Sequence, residues 1–455
     1  MKRIVVTGGT GFVGEKLCLE LFRLGYSLTL LTRDPKRGSE KIALPYQFVK
    51  WDGASPLPDE IMEGAHAVIH LAGESVAAHR WDEATKQAIH DSRSVSTARL
   101  AEAIDRTKVK PKVLLGASAT GYYGDRNDEL LTESSQPGTD FLATVCLDWE
   151  KAYACSAERI VILRTGVVWG LNGGALEKML PPFRFGVGGK IGSGRQWISW
   201  IHLEDLVQLY VFALENEKVR GPLNAVAPNP VTNSELTKVL AKILHRPALF
   251  PVPAFVLKLA LGEMGVVVLG SQRALPDAAQ KLGFTFRFPA LPAALADILA
   301  PLGKIGGYVF EAAIWLPQER EKVFPFFAAA KNLETITPPW LRFRIQKMST
   351  AAIEEGSLID YKLLIKGLPV RWRTRIEKWQ PQEYFVDRQL KGPYRDWHHT
   401  HRFEKVAGGT LMTDRVVYQL PFGVLGDLGH ALLVKNDVRT IFRFRKSAIA
   451  KMTFS

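Results

Sequence analysis

Residues 7–14 read Thr7-Gly8-Gly9-Thr10-Gly11-Phe12-Val13-Gly14 and follow a short apolar run, Ile4-Val5-Val6. The spacing of Gly8, Gly11 and Gly14 decides the fold. Gly8 permits the tight turn out of a strand, Gly11 lets a pyrophosphate approach the backbone, and Gly14 lets the next helix pack close to the sheet. The N–H groups at the start of that helix then face phosphate oxygens. A glycine triplet alone is a weak signal. Here Leu17, Leu21 and Leu24 repeat at helical spacing after it, and a second apolar run, Ser27 to Thr32, comes next. That is the strand–helix–strand context a dinucleotide-binding loop requires.

The second strand ends in Thr32-Arg33, with Lys36 and Arg37 close by. An acidic residue here would accept hydrogen bonds from the ribose 2′-hydroxyl of NAD, whereas an arginine suits a 2′-phosphate. The sequence therefore predicts NADP(H), although Asp34 follows one residue later. The alternative reading of Arg33 is a solvated strand-end cation.

A chain of 455 residues is long enough for two or three domains. Three scattered cysteines, Cys18, Cys146 and Cys155, form neither a disulfide framework nor a zinc motif. The N-terminus already reads as a strand, so no signal peptide is expected. The apolar runs, Val266–Gly270 among them, are too short to span a bilayer. The expectation is a cytoplasmic protein without stable membrane insertion. Residues 1–300 carry 34 basic and 31 acidic side chains, and residues 301–455 carry 25 and 15. The second segment could meet anionic partners. Its basic residues are spread along alternating strands, so a solvated basic face is expected and no nucleic acid.

Up to about residue 300, apolar strands alternate with helices. Val68–Ala72, Lys112–Ala117 and Ile160–Arg164 read as the fourth to sixth strands, and Trp81–Ile104 as a helix. This order predicts an α/β fold, a Rossmann-type doubly wound parallel sheet. Residues 193–300 are less regular and rich in proline, as in a small substrate-covering lobe. Residues 1–302 thus read as one domain and 303–307 as a linker. Residues 308–455 read as an α+β domain: a strand, a helix from Pro317 to Ala330, six period-2 strands, and a closing helix over Gly423–Arg443. The stretch Val370–Ile376 puts Val370, Trp372, Thr374 and Ile376 on one face and Arg371, Arg373 and Arg375 on the other. The apolar face needs a cover, for which Val424, Leu425, Leu428, Leu432 and Leu433 are available.

These residues resemble a known family. The stretches TGGTGFVG, VIHLAGESV (68–76), ASATGYYG (117–124), LRTGVVWG (163–170), GGKIGSGRQWISWIHLEDL (188–206) and SQRALPDAAQKLGFTF (271–286) are similar to the extended short-chain dehydrogenase/reductases. The likeness is to the atypical NAD-dependent epimerase/dehydratase-like subgroup of unassigned substrate. Residues 308–455, through LKGPYRDWHHTHRFEKVAGGTLMTDRVVYQLPFG (390–423), resemble the START-like (SRPBCC, helix-grip) superfamily, in which a curved sheet wraps a helix around an apolar cavity. The resemblance implies a phosphate loop of Gly8, Thr10, Gly11, Phe12, Val13 and Gly14. It implies a 2′-phosphate site at Thr32 and Arg33, an adenine contact at Asp52, which could equally be a turn residue, and a nicotinamide-ribose wall of Leu71, Ala72 and Gly73. Arg93 matches a residue near the cofactor phosphates, and Val167 a nicotinamide contact.

The departure from the family is instructive. Most of these enzymes carry a Tyr-x-x-x-Lys pair whose lysine lowers the tyrosine pKa for proton exchange with the substrate. Here Leu142 takes the tyrosine place and Cys146 the lysine place, so the pair is absent. Ser118 and Tyr122 are the remaining catalytic candidates, with binding or packing as the alternative. His202 and Asp205 read as structural. In His398-His399-x-His401, His399 and His401 share one strand face, but no acidic cluster is evident, and no metal is expected.

Two functions fit. One is an NADP(H)-dependent oxidoreductase or epimerase-like enzyme acting on an apolar small molecule that the C-terminal domain holds or delivers. The other is a non-catalytic NADP(H) sensor coupled to a hydrophobic-ligand carrier. The substrate and the oligomeric state are not readable from the sequence.

Overall fold

The computed structural model of the chain describes residues 1–302, 307–421, 426 and 429–452. It divides into two compact units: Met1–Gly38 with Tyr46–Leu299, and Ser39–Pro45 with the residues from Ala300 onward. Positions 303–306 of the expected linker lie outside the described residues.

Seven parallel strands form the sheet of the first unit. Their order in space is Gly221–Ala225, Ile160–Thr165, Val113–Ala119, Ala67–His70, Arg3–Thr7, Ser27–Thr32 and Gln47–Lys50. The interior strand Arg3–Thr7 is covered on both faces, with Ile4, Val5 and Val6 fully buried. This is why these strands read as unbroken apolar runs rather than alternations. The chain moves outward through the second and third strands and returns to place the fourth beside the first. That reversal opens a crevice at the carboxyl ends of the strands, the place where open α/β sheets bind ligands.

The helix Phe12–Arg23 buries Leu17, Cys18, Leu21 and Phe22. It stops at Arg23 because Gly25 takes a left-handed φ of +84°. Leu24, expected on the apolar stripe, is therefore the C-cap and is 47% exposed. The helix expected over Trp81–Ile104 runs Glu83–Arg106, with Asp82 as N-cap accepting from the Thr85 N–H. Among the described residues no helix is long and apolar enough to cross a membrane.

The second unit is built on a seven-stranded antiparallel sheet. Its order is Tyr308–Leu316, Gly409–Gln419, Asp396–Val406, Tyr384–Lys391, Leu368–Gln380, Leu358–Ile365 and Arg344–Met348. Trp372, Thr374 and Ile376 are buried, and Arg371, Arg373 and Arg375 are exposed, as period-2 alternation demands. Of the closing helix, positions 422–425, 427 and 428, which include Val424, Leu425 and Leu428, lie outside the described residues. The helix proper runs Lys435–Ile449 after a π turn at His430–Val434. Leu433, expected to cover the sheet, is 51% exposed. Val438 and Phe442 cover Val416 and Tyr418 instead, because a π turn carries an extra residue and rotates the faces that follow it.

Candidate dinucleotide site

Each glycine of the first loop is needed for a different reason. Gly8 sits at φ +69°, and a Cβ there would lie 2.7 Å from the Leu71 carbonyl carbon and 2.8 Å from the Ala72 nitrogen. The turn therefore abuts the carboxyl end of strand Ala67–His70. A Cβ on Gly14 would lie 2.2 Å from the Gly8 oxygen, so helix and turn touch backbone to backbone. Gly11 is the N-cap of helix Phe12–Arg23 and has no side chain with which to cap it. Helices Glu83–Arg106 and Phe141–Lys151, by contrast, carry Asp82 and Asp140 as caps. The leading amides of Phe12 and Val13 lack intrahelical acceptors and meet the positive end of the helix dipole. Phe12 is walled by a second glycine run, since a Cβ on Gly173 would stand 2.4 Å from its ring.

Leu71, Ala72 and Gly73 are held by a buried latch. Thr7 Oγ1 accepts the Ala72 N–H at 3.2 Å and lies 2.6 Å from His70 Nδ1, and Ser96 Oγ lies 3.3 Å from His70 Nε2. Burial, reinforced by the Arg93 charge, lowers the His70 pKa to about 3. The ring is neutral at pH 7, and because Ser96 Oγ donates to the Ser92 carbonyl at 2.7 Å it accepts the His70 Nε2–H, which leaves Nδ1 to accept from the Thr7 hydroxyl.

Arg33 is 80% exposed, with Nη1 3.8 Å from Glu74 Oε2. Thr32 Oγ1 accepts the Asp34 N–H at 3.4 Å. Arg93 lies beneath the loop. It donates to the Glu74 and Ile89 carbonyls, both at 2.9 Å, and its guanidinium lies 5.1 Å from the Trp149 ring. A Cβ on Gly73 would approach it to 3.3 Å. Arg93 thus props up the loop that carries Gly73 and Glu74. Asp52 accepts from Ser55 N–H, Ser55 hydroxyl and Ala54 N–H at 2.8, 2.7 and 2.9 Å. These bonds push its pKa down to about 2 and occupy it within its own turn. Val167 begins a short strand that pairs with Trp200–His202, and its N–H donates to Ser199 at 2.8 Å.

Leu142 and Cys146 face the turn after strand Val113–Ala119. A Cβ on Gly121 would lie 3.6 Å from Leu142 Cβ and 3.7 Å from Cys146 Sγ. Burial and the Glu150 charge push the Cys146 thiol up to about 12. Neither residue can exchange a proton near neutral pH. One turn further on, Glu150 accepts from Ser118 Oγ at 2.7 Å and pairs with Arg164 through two contacts of 2.8 Å. Arg164 also donates to Tyr123 Oη at 3.1 Å, and the Tyr122 ring covers its guanidinium at 3.5 Å. Ser118 and Tyr122 are thus brought together through a buried ion pair. Beside them Trp81, Ile89 and Val145 pack with Val76, Phe141, Leu142, Met264 and Val266, an apolar wall.

Sequence reasoning missed the Glu150–Arg164 pair, Glu74 opposite Arg33, and the His70 latch, whose partners are distant in the chain. The glycines at 170, 173 and 174 were a visible signal. His202 accepts the Glu204 N–H as a helix N-cap, and Asp205 accepts the Arg287 and Phe288 N–H groups, both structural roles.

A doubly wound sheet with a glycine-lined helix start at its switch point defines a dinucleotide-binding protein. Comparison with known proteins is narrower. The profile of the NAD dependent epimerase/dehydratase family matches residues 4–225, and a domain of unknown function, DUF1731, matches residues 252–298. Epimerase family protein YfhF of Bacillus subtilis is 40% identical over 301 residues, 65% of this chain and 98% of the relative. The chloroplastic SDR39U1 homolog of Arabidopsis thaliana is 38% identical over 308 residues, 65% of this chain and 86% of the relative. The chain belongs to the NAD-dependent epimerase/dehydratase family. The crystal structure of human SDR39U1 with NADPH superposes with a TM-score of 0.60 at 35% identity, covering 66% of this chain and 99% of that one.

Proposed function

We propose that the first unit binds NADP(H) and that the chain is an NADP(H)-dependent oxidoreductase or epimerase-like protein of the cytoplasm. Its substrate is an apolar small molecule, held or delivered by a second unit of the START-like, helix-grip type. The observation that carries the cofactor assignment is the glycine N-cap of helix Phe12–Arg23, with Arg33 exposed at the end of the neighbouring strand. The amides after Gly11 would take the pyrophosphate and Arg33 the 2′-phosphate. NADP(H) supplies hydride transfer when bound. The chain's residues position, exclude water and handle protons. The human relative solved with NADPH supports the choice.

The apolar substrate rests on the wall of Val76, Leu142, Met264 and Val266, and on the aromatic inner face of the second sheet, where Trp372, Tyr394, Trp397 and Tyr418 pack together. The outer face is basic but locally neutralised. Arg373 pairs with Asp360 at 2.7 Å, Arg388 with Glu377 at 3.4 Å, and Arg415 with Glu311 at 3.3 Å. This favours a small ligand over nucleic acid, whose phosphates need free cations.

One observation favours the second reading, a non-catalytic NADP(H) sensor. The Ser118 proton is committed to Glu150, and Leu142 and Cys146 stand where proton exchange would occur. The test of the proposal is calorimetric titration of the full chain with NADPH and NADH. NADPH should bind more tightly, and equal affinities would remove the assignment.

A further inference from the structure

We propose that Asp387, His399 and His401 form a binding site for one divalent first-row transition-metal ion inside the second unit. The absence of an acidic cluster in the sequence around His398–His401 is corrected by the strand register. In the antiparallel ladders Asp387 stands directly opposite His399, and Asp414 directly opposite His401. Two strands thus each deliver one carboxylate to a pair of histidines that share a face of the strand between them.

The geometry separates ligands from supporting groups. Asp387 Oδ2 lies 3.0 Å from His401 Nε2 and 3.6 Å from His399 Nδ1. All three ligand atoms fall within 4.8 Å of one another. Donors bonded to a tetrahedral zinc ion at its usual bond lengths lie roughly 3.3 Å apart, between the two observed distances. The opposite nitrogens of both rings converge on one atom, with His399 Nε2 2.8 Å and His401 Nδ1 2.9 Å from Asp414 Oδ1. Asp414 can thereby accept an N–H from each ring. It would fix both tautomers so that Nδ1 of His399 and Nε2 of His401 present lone pairs towards Asp387, the arrangement that carboxylates behind metal-bound histidines produce. Arg445 Nη2, 3.8 Å from Asp414 Oδ1, offsets the charge of that aspartate; it also stands 3.3 Å from His401 Nδ1, and since a guanidinium only donates, metal binding requires that nitrogen to give up this contact and turn its N–H to Asp414.

The surroundings are dry. His399 and His401 are 5% and 2% exposed. The Phe385 ring stacks on His401 at 4.2 Å, and the Phe442 edge meets His399 at 5.4 Å. Two histidines and one carboxylate leave a coordination position for a further donor, as reactive rather than purely structural sites do. The competing arrangement is metal-free, with a protonated His401 bridging the two aspartates. His398 faces away, with Nδ1 3.4 Å from Glu377 Oε2, and serves as a control.

The test uses the full chain, stripped with a chelator and checked for retained fold by circular dichroism. It is titrated with Zn²⁺ alone by calorimetry and with Co²⁺ by visible absorption. One ion per chain is expected, with the intense bands of low-coordinate cobalt. Asp387→Asn and His399→Gln should abolish this binding, Asp414→Asn should weaken it by about 10–100-fold, and His398→Gln should leave it unchanged. The proposal is overturned if the stripped, folded chain takes up neither ion, or if folded Asp387→Asn and His399→Gln variants bind as the starting protein does. The cobalt spectrum of the unsubstituted chain decides the matter even where a variant misfolds.

Discussion

Arg33 stands in solvent at the mouth of the crevice with Glu74, 3.8 Å away, as its ionic neighbour among the described residues. An exposed pair at that distance contributes little to stability, so the side chain is available to a 2′-phosphate. Arg33→Ala should reduce NADPH affinity by about 1.5–3 kcal/mol, the worth of a hydrogen bond to a charged group, and leave NADH affinity and thermal stability almost unchanged. Equal losses for the two nucleotides in calorimetry would assign Arg33 to general folding. Ser118 and Tyr122 differ in kind. Both contact a buried Glu150–Arg164 pair that is itself 10% and 5% exposed. If a substrate is turned over, Ser118→Ala and Tyr122→Phe should each slow the reaction, by about 10²–10⁴-fold for a general-acid role, while NADPH affinity is retained. Full activity of both variants under steady-state assay would leave them as supports of the ion pair.

At the scale of elements, the His70 latch joins strand Arg3–Thr7, strand Ala67–His70 and helix Glu83–Arg106 through Thr7 and Ser96. The ring pKa is lowered from 6.5 to about 3 by burial. The unfolded chain therefore binds a proton at higher pH than the folded one. The latch contributes its full stability above pH 6.5, and that contribution is lost as pH falls from 6.5 towards 3, by at most about 1.4 kcal/mol per pH unit. Urea unfolding at pH 7.5 and 5.0 should show a smaller pH dependence for His70→Asn than for the starting protein. Identical pH dependence would mean that the ring titrates normally. The elements around this latch were legible in the sequence because glycine spacing and apolar runs are local signals. Gly8, Gly14 and Thr32-Arg33 could be placed on a turn, a helix and a strand end without coordinates. The latch itself was not legible, since Thr7 and His70 lie 63 residues apart and meet only by parallel pairing. Glu150 and Arg164 likewise needed a helix and the following strand to be packed first. Asp387 and Asp414 became partners of His399 and His401 only once the register of two ladders was set.

The whole molecule joins a nucleotide-binding unit to a second unit with an aromatic sheet face. YfhF aligns over 98% of its own length but 65% of this chain, so about a third of this chain has no counterpart in that relative. If the two proposed ligands serve one function, their binding must be thermodynamically linked, and linkage is reciprocal. NADPH titrated into the full chain with and without a saturating fluorescent fatty acid should show an affinity changed by about 5–150-fold, the usual range of allosteric coupling. The fatty-acid affinity should change by the same factor when NADPH is saturating, because both titrations traverse one thermodynamic cycle. The sensor reading and the delivery reading both require this coupling. They differ in whether nicotinamide oxidation follows, which absorbance at the reduced-nicotinamide band reports directly. Two affinities that each ignore the other ligand would break the functional connection between the units and leave two independent binding modules on one chain.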